Sequence, residues 1–258
     1  MTHINWNELF YFNPETGDSS STPQSGYIGL PTYGNYGGGG GYSAGEFGGH
    51  LLTNLDGSPL SYTQLLKVGD AAQDPVDKLD YLFYVHDVMS AQAGPGYTQQ
   101  QAVADMNLLT SIDKLSLGHD AEARLYAGVA SLGMIGDLGI HGDLGLLSPT
   151  QLLTGLEDAA KDIHYGLDHL PSAELAQALG GILTPTADPN TFAFDFAITT
   201  DSVQQELYEF VAMNALNAAL DLGDSDYTVL DTGFPFPGTT DYALTYNVVT
   251  HDLDLLTS

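Results

Sequence analysis

The chain contains no cysteine, and cationic side chains are almost as scarce. Its 258 residues include 5 Lys and Arg against 33 Asp and Glu, a formal net charge of −28. Without cysteine, disulfides, thiol catalysis and thiolate metal sites are excluded. The shortage of cations argues against nucleic-acid binding, because a polyphosphate backbone has to be neutralised by Lys and Arg. It also argues against electrostatic docking on anionic lipid, whereas it suits a protein that meets divalent cations.

The sequence also lacks a long apolar run. No stretch reaches the roughly eighteen apolar residues that a membrane-spanning helix needs, so no such helix is predicted. The first residues, Met1–Trp6, show no basic segment followed by an apolar run, and therefore no secretory signal is visible. Apolar residues still make up 43% of the chain. That content is sufficient for a substantial core in one large or two small domains.

Helical periodicity dominates the sequence. A helix is predicted to begin near Pro75, a favourable first-turn residue, and to end at the turn over 93–96. Further helices are predicted over 98–115, 119–135, 149–169, 172–183 and 201–220. Residues 1–12 fit one face of a helix, and the alternation over 191–199 predicts a strand. The expected fold class is therefore mainly α, with antiparallel helices, extra helices toward the C-terminus and little β.

Two segments carry residues suited to hydrolytic chemistry. Residues 33–41 read Tyr-Gly-Asn-Tyr-Gly-Gly-Gly-Gly-Gly, and residues 75–87 read Pro-Val-Asp-Lys-Leu-Asp-Tyr-Leu-Phe-Tyr-Val-His-Asp. Glycine tolerates the backbone angles that let one loop aim several carbonyls at a cation. Neighbouring residues on a helix point about 100° apart. His86 and Asp87 can therefore bring a proton-accepting imidazole and a cation-binding carboxylate to one site.

The two segments together resemble the secreted phospholipase A2 superfamily. The calcium-loop pattern of that family is Tyr-Gly-x-Tyr-Cys-Gly-x-Gly-Gly, and its helix pattern is Pro-Val-Asp-x-Leu-Asp-x-Cys-Cys-x-x-His-Asp. The chain departs from the helix pattern only at the two cysteines, which are Leu82 and Phe83 here. Residues 119–124, His-Asp-Ala-Glu-Ala-Arg, match the pattern Cys-Asp-x-x-Ala-Ala of the next helix more loosely. The resemblance covers residues 33–41 and 75–130.

The resemblance implies calcium-dependent hydrolysis of the sn-2 ester of glycerophospholipids at a membrane or micelle surface. His86 would be the general base that activates water, and Ca²⁺ would polarise the ester carbonyl. The implied calcium ligands are the carboxylate of Asp87 and the carbonyls of Tyr36, Gly38 and Gly40. The N–H of Gly38 would in addition hold the oxyanion that forms during hydrolysis.

A carboxylate that fixes the tautomer of His86 is also implied by the resemblance. The loose match to the next helix assigns that role to Asp120. A helix N-cap is the alternative for Asp120, because it follows Leu117 and Gly118 and precedes a predicted helix. Asp105 is the second candidate for the partner of His86. Ser90 stands where the family often has a tyrosine that supports this pair.

The resemblance and the periodicity divide the chain in two. Residues 1–140 are predicted to form a phospholipase A2-like core with an insertion at 42–74, and residues 141–258 a helical C-terminal extension. The tail over 248–258 is typical of cargo for bacterial type I secretion, so the protein is expected to be secreted without a signal peptide. Two other functions stay open. One is a catalytically silent phospholipase-like module that binds calcium and a lipid or protein surface, and the other is an acidic secreted structural protein.

Overall fold

The computed structural model describes residues 3–13, 16–25 and 27–170, together with the backbone of four later strands. The strands before residue 171 are β1 (Ile4–Phe12), β2 (Ser19–Ser20), β3 (Ile28–Tyr33), β4 (Tyr42–Ser43) and β5 (Glu46–Phe47). The helices are α1 (Tyr62–Leu65), α2 (Lys78–Ala93), α3 (Gln99–Ile112), α4 (Ala121–Ile140) and α5 (Pro149–His169). A 3-10 turn at Leu144–Leu146 lies between α4 and α5.

The expectation of a mainly α fold is wrong, because the described residues up to 170 contain five helices and two small sheets. Helix accounts for 45% and strand for 15%, which is a mixed α/β composition. The main error lies at the N-terminus. Residues 4–12, which fit one helical face, form β1 at the centre of a three-stranded sheet in the order β2-β1-β3. Pairing with β3, a distant segment that local periodicity does not reveal, decides the structure there.

Beyond residue 170 the structure describes four strands rather than helices. They are β6 (Thr184–Pro185), β7 (Thr191–Ile198), β8 (Thr240–Asn247) and β9 (Leu253–Thr257). These strands form an antiparallel sheet in the order β6-β7-β8-β9. The strand predicted over 191–199 is therefore confirmed by β7. The helices predicted at 172–183 and 201–220 lie outside the described residues.

Side-chain caps determine where the four long helices begin. The cap residues are Asp77 for α2, Thr98 for α3, Asp120 for α4 and Ser148 for α5. Each cap side chain accepts a hydrogen bond from the backbone N–H three residues further on, which satisfies a donor that the helix itself leaves free. Helix α3 packs on both α2 and α4, and α5 packs on α4. This layer of helices holds α2 in place.

The core beneath the glycine-rich loop is aromatic. The rings of Tyr33 and Tyr126 lie 4.9 Å apart, and those of Phe83 and Tyr126 lie 5.5 Å apart. A Cβ placed on Gly37 would come within 2.9 Å of Cδ2 of Phe83. Gly37 and Phe83 both occupy positions where the phospholipase A2 patterns have cysteine. Close apolar packing thus joins the loop to α2 in a chain that has no disulfide.

Candidate active site

Helices α2 and α3 bring an imidazole and a buried carboxylate together. Nε2 of His86 lies 2.7 Å from Oδ1 of Asp105, whose side chain is only 1% exposed. Gln101, one turn earlier on α3, donates from Nε2 to the same Asp105 oxygen at 3.1 Å and to Oγ of Ser90 at 3.0 Å. The hydroxyl of Ser90 lies 3.5 Å from Nε2 of His86. The imidazole is therefore held on its Nε2 side.

Asp120, which the sequence analysis favoured as the partner of His86, lies elsewhere. Its Oδ1 accepts from the N–H of Ala123 at 3.0 Å, so it is the N-cap of α4, and its Oδ2 lies 3.8 Å from Nδ1 of His3. Asp105 takes the partner role instead, because it lies within α3 on the face that packs against α2. The sequence did contain a signal for Asp105 as the partner of His86. Asp105 is an acid on the otherwise apolar buried face of α3, beside Ala102, Leu108, Leu109 and Ile112.

Two carboxylates flank the ring of His86. Oδ1 of Asp87 lies 3.8 Å from Nδ1, on the side opposite Asp105. Burial lowers the pKa of His86, but the hydrogen bonds and charges of Asp105 and Asp87 outweigh burial and raise the pKa to about 9. Burial raises the pKa of Asp87 to about 6, although His86 and Ser43 act in the opposite direction. The two carboxylates thus favour the protonated form of the imidazole.

A single buried carboxylate ties the glycine-rich loop to α2. Asp80 accepts hydrogen bonds from the N–H groups of Asn35 at 3.0 Å, Tyr36 at 2.8 Å and Val76 at 2.9 Å. Its side chain is fully buried, and burial raises its pKa to about 7 against the lowering effect of these donors. Gly34 has a φ of +54°, and a Cβ there would lie 2.4 Å from Cγ of Asp80. Only glycine therefore lets the loop come this close. Asp80 received no role from the sequence, although Asp80 and Gly34 both occupy fixed positions of the phospholipase A2 patterns.

Along the loop, carbonyl groups that accept a hydrogen bond alternate with carbonyl groups that do not. The carbonyls that accept backbone hydrogen bonds belong to Asn35, Gly37, Gly39 and Gly41. The carbonyls that accept no hydrogen bond from any described residue belong to Tyr36, Gly38 and Gly40. These three are the carbonyls that the resemblance implies as calcium ligands. The N–H of Gly38 also meets no acceptor within the described part of the chain. Gly38 and Gly40 are only half-buried, so the alternation leaves this loop with accessible oxygen ligands to offer.

The carboxylate of Asp87, on α2, offers a further oxygen atom without a partner. Its Oδ2 is buried without a hydrogen-bond partner among the described residues, and so is Oγ of Ser43, which follows the loop directly. Burial raises the pKa of the Tyr36 phenol, and the charges of Asp80 and, to a smaller extent, Asp87 add to this shift. A carboxylate with several carbonyls is the ligand set that Ca²⁺ prefers. The residues present thus fit a calcium ion.

The insertion at 42–74 closes back onto the loop. Nδ2 of Asn35 donates to the carbonyls of Ala71 at 2.9 Å and Asp74 at 2.7 Å. The hydroxyl of Tyr36 donates to the carbonyl of Gln73 at 2.9 Å. The long connection therefore does not separate the loop from α2. The C-terminal end of the insertion packs on the loop, and α2 begins shortly after it.

A second group of metal-binding residue types lies at the starts of α2 and α4. His3, Asp77 and Asp120 place one ligand atom each within 4.8 Å of the others. The hydroxyl of Tyr33 donates to Oδ2 of Asp77 at 2.5 Å and lies 3.1 Å from Nδ1 of His3. These contacts join the first strand to two helix starts. They are separate from the residues around His86 and carry no evidence of calcium binding.

The chain matches no family model, no curated protein and no solved structure. Its function is therefore argued from the residues and geometry described above. Among the helices that the structure describes, none combines the length and apolar character needed to cross a bilayer.

Proposed function

We propose that this chain is a calcium-dependent phospholipase A2 that hydrolyses the sn-2 ester of glycerophospholipids. The observation that carries the proposal is the alternation of carbonyls in the loop, which leaves those of Tyr36, Gly38 and Gly40 without donors among the described residues. The unpartnered Oδ2 of Asp87 supports the same cation site. The adjacent His86–Asp105 pair supports a general base beside it.

In this mechanism Asp105 holds the Nε2 side of His86, so that Nδ1 faces the reacting water. Nδ1 takes a proton from water as the oxygen attacks the ester carbonyl carbon. The N–H of Gly38 donates to the carbonyl oxygen as negative charge develops on it. When the tetrahedral species collapses, the sn-2 C–O bond breaks and the departing glycerol oxygen receives the proton from Nδ1. A fatty acid and a lysophospholipid result. Calcium, when bound, would supply a Lewis acid that polarises the ester carbonyl.

The charges around His86 explain why the proposed chemistry needs a cation. With Asp87 and Asp105 both present, the pKa of His86 rises to about 9, so the ring is protonated at neutral pH and cannot act as a base. A divalent cation held by Asp87 would offset the negative charge beside Nδ1 and lower the pKa of the ring. The cation would thus make the base available as well as polarise the substrate.

Fatty-acid release from phosphatidylcholine tests this proposal. We expect release with millimolar calcium, none with EDTA, and none from His86→Gln or Asp87→Asn. His169→Gln is the matched control, because His169 is an exposed histidine on α5 whose contacts are the carbonyl and the stacked ring of Tyr165, one turn earlier. Release that persists in EDTA or in His86→Gln would refute the proposal.

A catalytically silent module that binds calcium and a lipid or protein surface is the second candidate. The raised pKa of His86 favours it, because a protonated imidazole cannot take a proton from water. The two candidates differ in one outcome. Calcium binding that depends on Asp87, together with no fatty-acid release under any condition, would identify the silent module.

A further inference from the structure

An imidazole and two carboxylates converge where the first strand meets the starts of α2 and α4. Nδ1 of His3 lies 3.3 Å from Oδ2 of Asp77 and 3.8 Å from Oδ2 of Asp120. Asp77 caps α2, whereas Asp87 is its tenth residue, which places the two carboxylates about 15 Å apart along the helix. The group is therefore distinct from the residues around His86.

The two carboxylates are oriented by the helices that they cap. Oδ1 of Asp77 accepts from the N–H of Asp80 at 2.8 Å, and Oδ1 of Asp120 accepts from the N–H of Ala123 at 3.0 Å. Each cap uses one carboxylate oxygen, and the other oxygen, Oδ2, lies toward His3 in both cases. Capping thus fixes in advance two oxygen atoms that a cation at this position would need.

The imidazole and one carboxylate are also supported from outside the group. The N–H of His3 donates to Oε2 of Glu122, and its carbonyl accepts from the N–H of Gly34 at 2.8 Å. The fully buried phenol of Tyr33 donates to Oδ2 of Asp77 at 2.5 Å and lies 3.1 Å from Nδ1 of His3. Outer hydrogen bonds of this kind orient the ligands of metal sites.

The separations of the three ligand atoms fit a small transition-metal cation. Zn²⁺ binds imidazole nitrogen and carboxylate oxygen at about 2.0–2.2 Å, which places two ligand atoms of a tetrahedral site about 3.4 Å apart. The separations from Nδ1 of His3 are close to that value, and all three atoms lie within 4.8 Å of one another. The side chain of Asp120 is 43% exposed, so solvent can complete the fourth position. Ca²⁺ prefers oxygen ligands alone, whereas imidazole suits Zn²⁺.

The charge of the group also favours a cation. Within the described part of the chain, neither Asp77 nor Asp120 forms an ion pair with Lys or Arg, and His3 is the partner of both. A divalent cation would neutralise the two carboxylates together. The positive ends of two helix dipoles oppose a cation here, so both carboxylates have to remain as ligands.

We propose that His3, Asp77 and Asp120 form a zinc site that fastens the start of β1 to the starts of α2 and α4. The ligand atoms are Nδ1 of His3 and Oδ2 of each aspartate, and a water molecule takes the fourth position. The site has a structural role, because it joins three elements that are distant in the sequence. It does not depend on the proposed hydrolytic function.

Isothermal titration with Zn²⁺ tests the site, in buffer that contains millimolar Ca²⁺ to fill the calcium loop. We expect one zinc per native chain. Affinity should fall about a hundredfold or more in His3→Gln, because a direct ligand contributes at least as much as an outer-shell partner. Asp77→Asn and Asp120→Asn should weaken zinc binding similarly, although asparagine keeps the helix cap. Tyr33→Phe removes only the outer hydrogen bond and should cost about tenfold.

Two histidine variants are the controls. His86→Gln removes the imidazole of the other histidine–carboxylate group, and His141→Gln removes an imidazole that lies 3.4 Å from Oδ1 of Asp137. Both should bind zinc with native affinity. An absence of saturable zinc binding in the native protein, native affinity in His3→Gln, or loss of binding in His86→Gln would each overturn the inference.

Urea unfolding with and without Zn²⁺ provides a second readout. Because zinc binds the folded chain, it should raise the unfolding midpoint of the native protein and of His86→Gln, but not that of His3→Gln. An equal rise in His3→Gln would contradict the site. If His3→Gln does not fold, Asp120→Asn decides, since its helix cap is kept and its zinc-dependent rise should be lost.

Discussion

The carboxylate of Asp80 accepts the backbone N–H of Tyr36 at 2.8 Å, and this contact ties the glycine-rich loop to the helix that carries His86 and Asp87. Its other donors are the N–H groups of Asn35 and Val76. One side chain therefore fixes the distance between the two parts of the candidate calcium site. The loop with its free carbonyls and the helix that carries Asp87 are thus joined through one buried carboxylate.

Substitutions of Asp105 and Asp120 should have opposite effects on activity and stability. Asp105→Asn should reduce kcat about a hundredfold or more, because the ring of His86 loses the acceptor that fixes its tautomer. Asp120→Ala removes the N-cap of α4 and should lower the free energy of unfolding by about 1 kcal/mol, with unchanged activity per folded molecule. Fatty-acid release combined with urea unfolding checks both. Loss of activity in Asp120→Ala with intact activity in Asp105→Asn would contradict the observed pairing.

The pH dependence of stability follows from Asp80. Its pKa is raised from 3.8 to about 7 in the folded protein, so the folded state binds the proton more tightly than the unfolded state. That contribution is fully present below about pH 4 and is lost as the pH rises to about 7, a loss of about 4 kcal/mol at most. Urea unfolding in EDTA at a series of pH values should show this decline. Asp80→Asn should be less stable overall, with a flatter profile between pH 4 and 7, and an unchanged slope would refute the assignment.

Two neighbouring glycines offer a matched test of the calcium loop. Gly40 and Gly41 both adopt a positive φ, so Ala at either position strains the backbone by about 1 kcal/mol. A Cβ on Gly40 would also come within 2.3 Å of the backbone of Ser20, whereas a Cβ on Gly41 would meet nothing within 4 Å. Isothermal titration should show calcium affinity lost in Gly40→Ala, as in Asp87→Asn, and largely kept in Gly41→Ala. Equal affinities in the two glycine variants would argue against Gly40 as a ligand.

Phe83 packs the glycine-rich loop against α2, and its removal should be costly. Phe83 is 5% exposed and packs against Tyr33, Tyr126 and the loop at Gly37. Phe83→Ala should lower the free energy of unfolding by about 3–4 kcal/mol. Leu82→Ala is the control, because Leu82 occupies the neighbouring position where the family has cysteine and is only partly buried. Chemical denaturation measures both, and a similar cost for the two would refute a special role for Phe83.

The charge of the protein predicts a preference among lipid surfaces. At a net charge of −28, anionic vesicles should repel the protein unless calcium bridges the two. Hydrolysis should therefore be faster on zwitterionic phosphatidylcholine or on dispersed substrate than on anionic vesicles. Initial rates on phosphatidylcholine and phosphatidylglycerol vesicles at low salt compare the two cases directly. Faster turnover on the anionic vesicles would contradict the electrostatic argument.

The linear sequence was sufficient to predict the local parts of the candidate site. The pattern over 75–87 predicted a helix carrying His86 and Asp87, and α2 is that helix. The resemblance implied carbonyl ligands at Tyr36, Gly38 and Gly40, and these are the loop carbonyls that accept no hydrogen bond from a described residue. The strand over 191–198 was likewise visible as local alternation. Each of these features depends on residues close together in the chain.

Tertiary structure decided what depends on distant residues. Whether Asp105 or Asp120 meets His86 is set by which face of α3 packs on α2, and a motif match cannot reveal that packing. Residues 4–12 form a strand because β3 lies beside them, although their own spacing suggested a helix. The stack of Tyr97 on His141 likewise joins the α2–α3 connection to the end of α4. Sequence encodes these contacts, but only the folded chain brings their partners within hydrogen-bonding and electrostatic range.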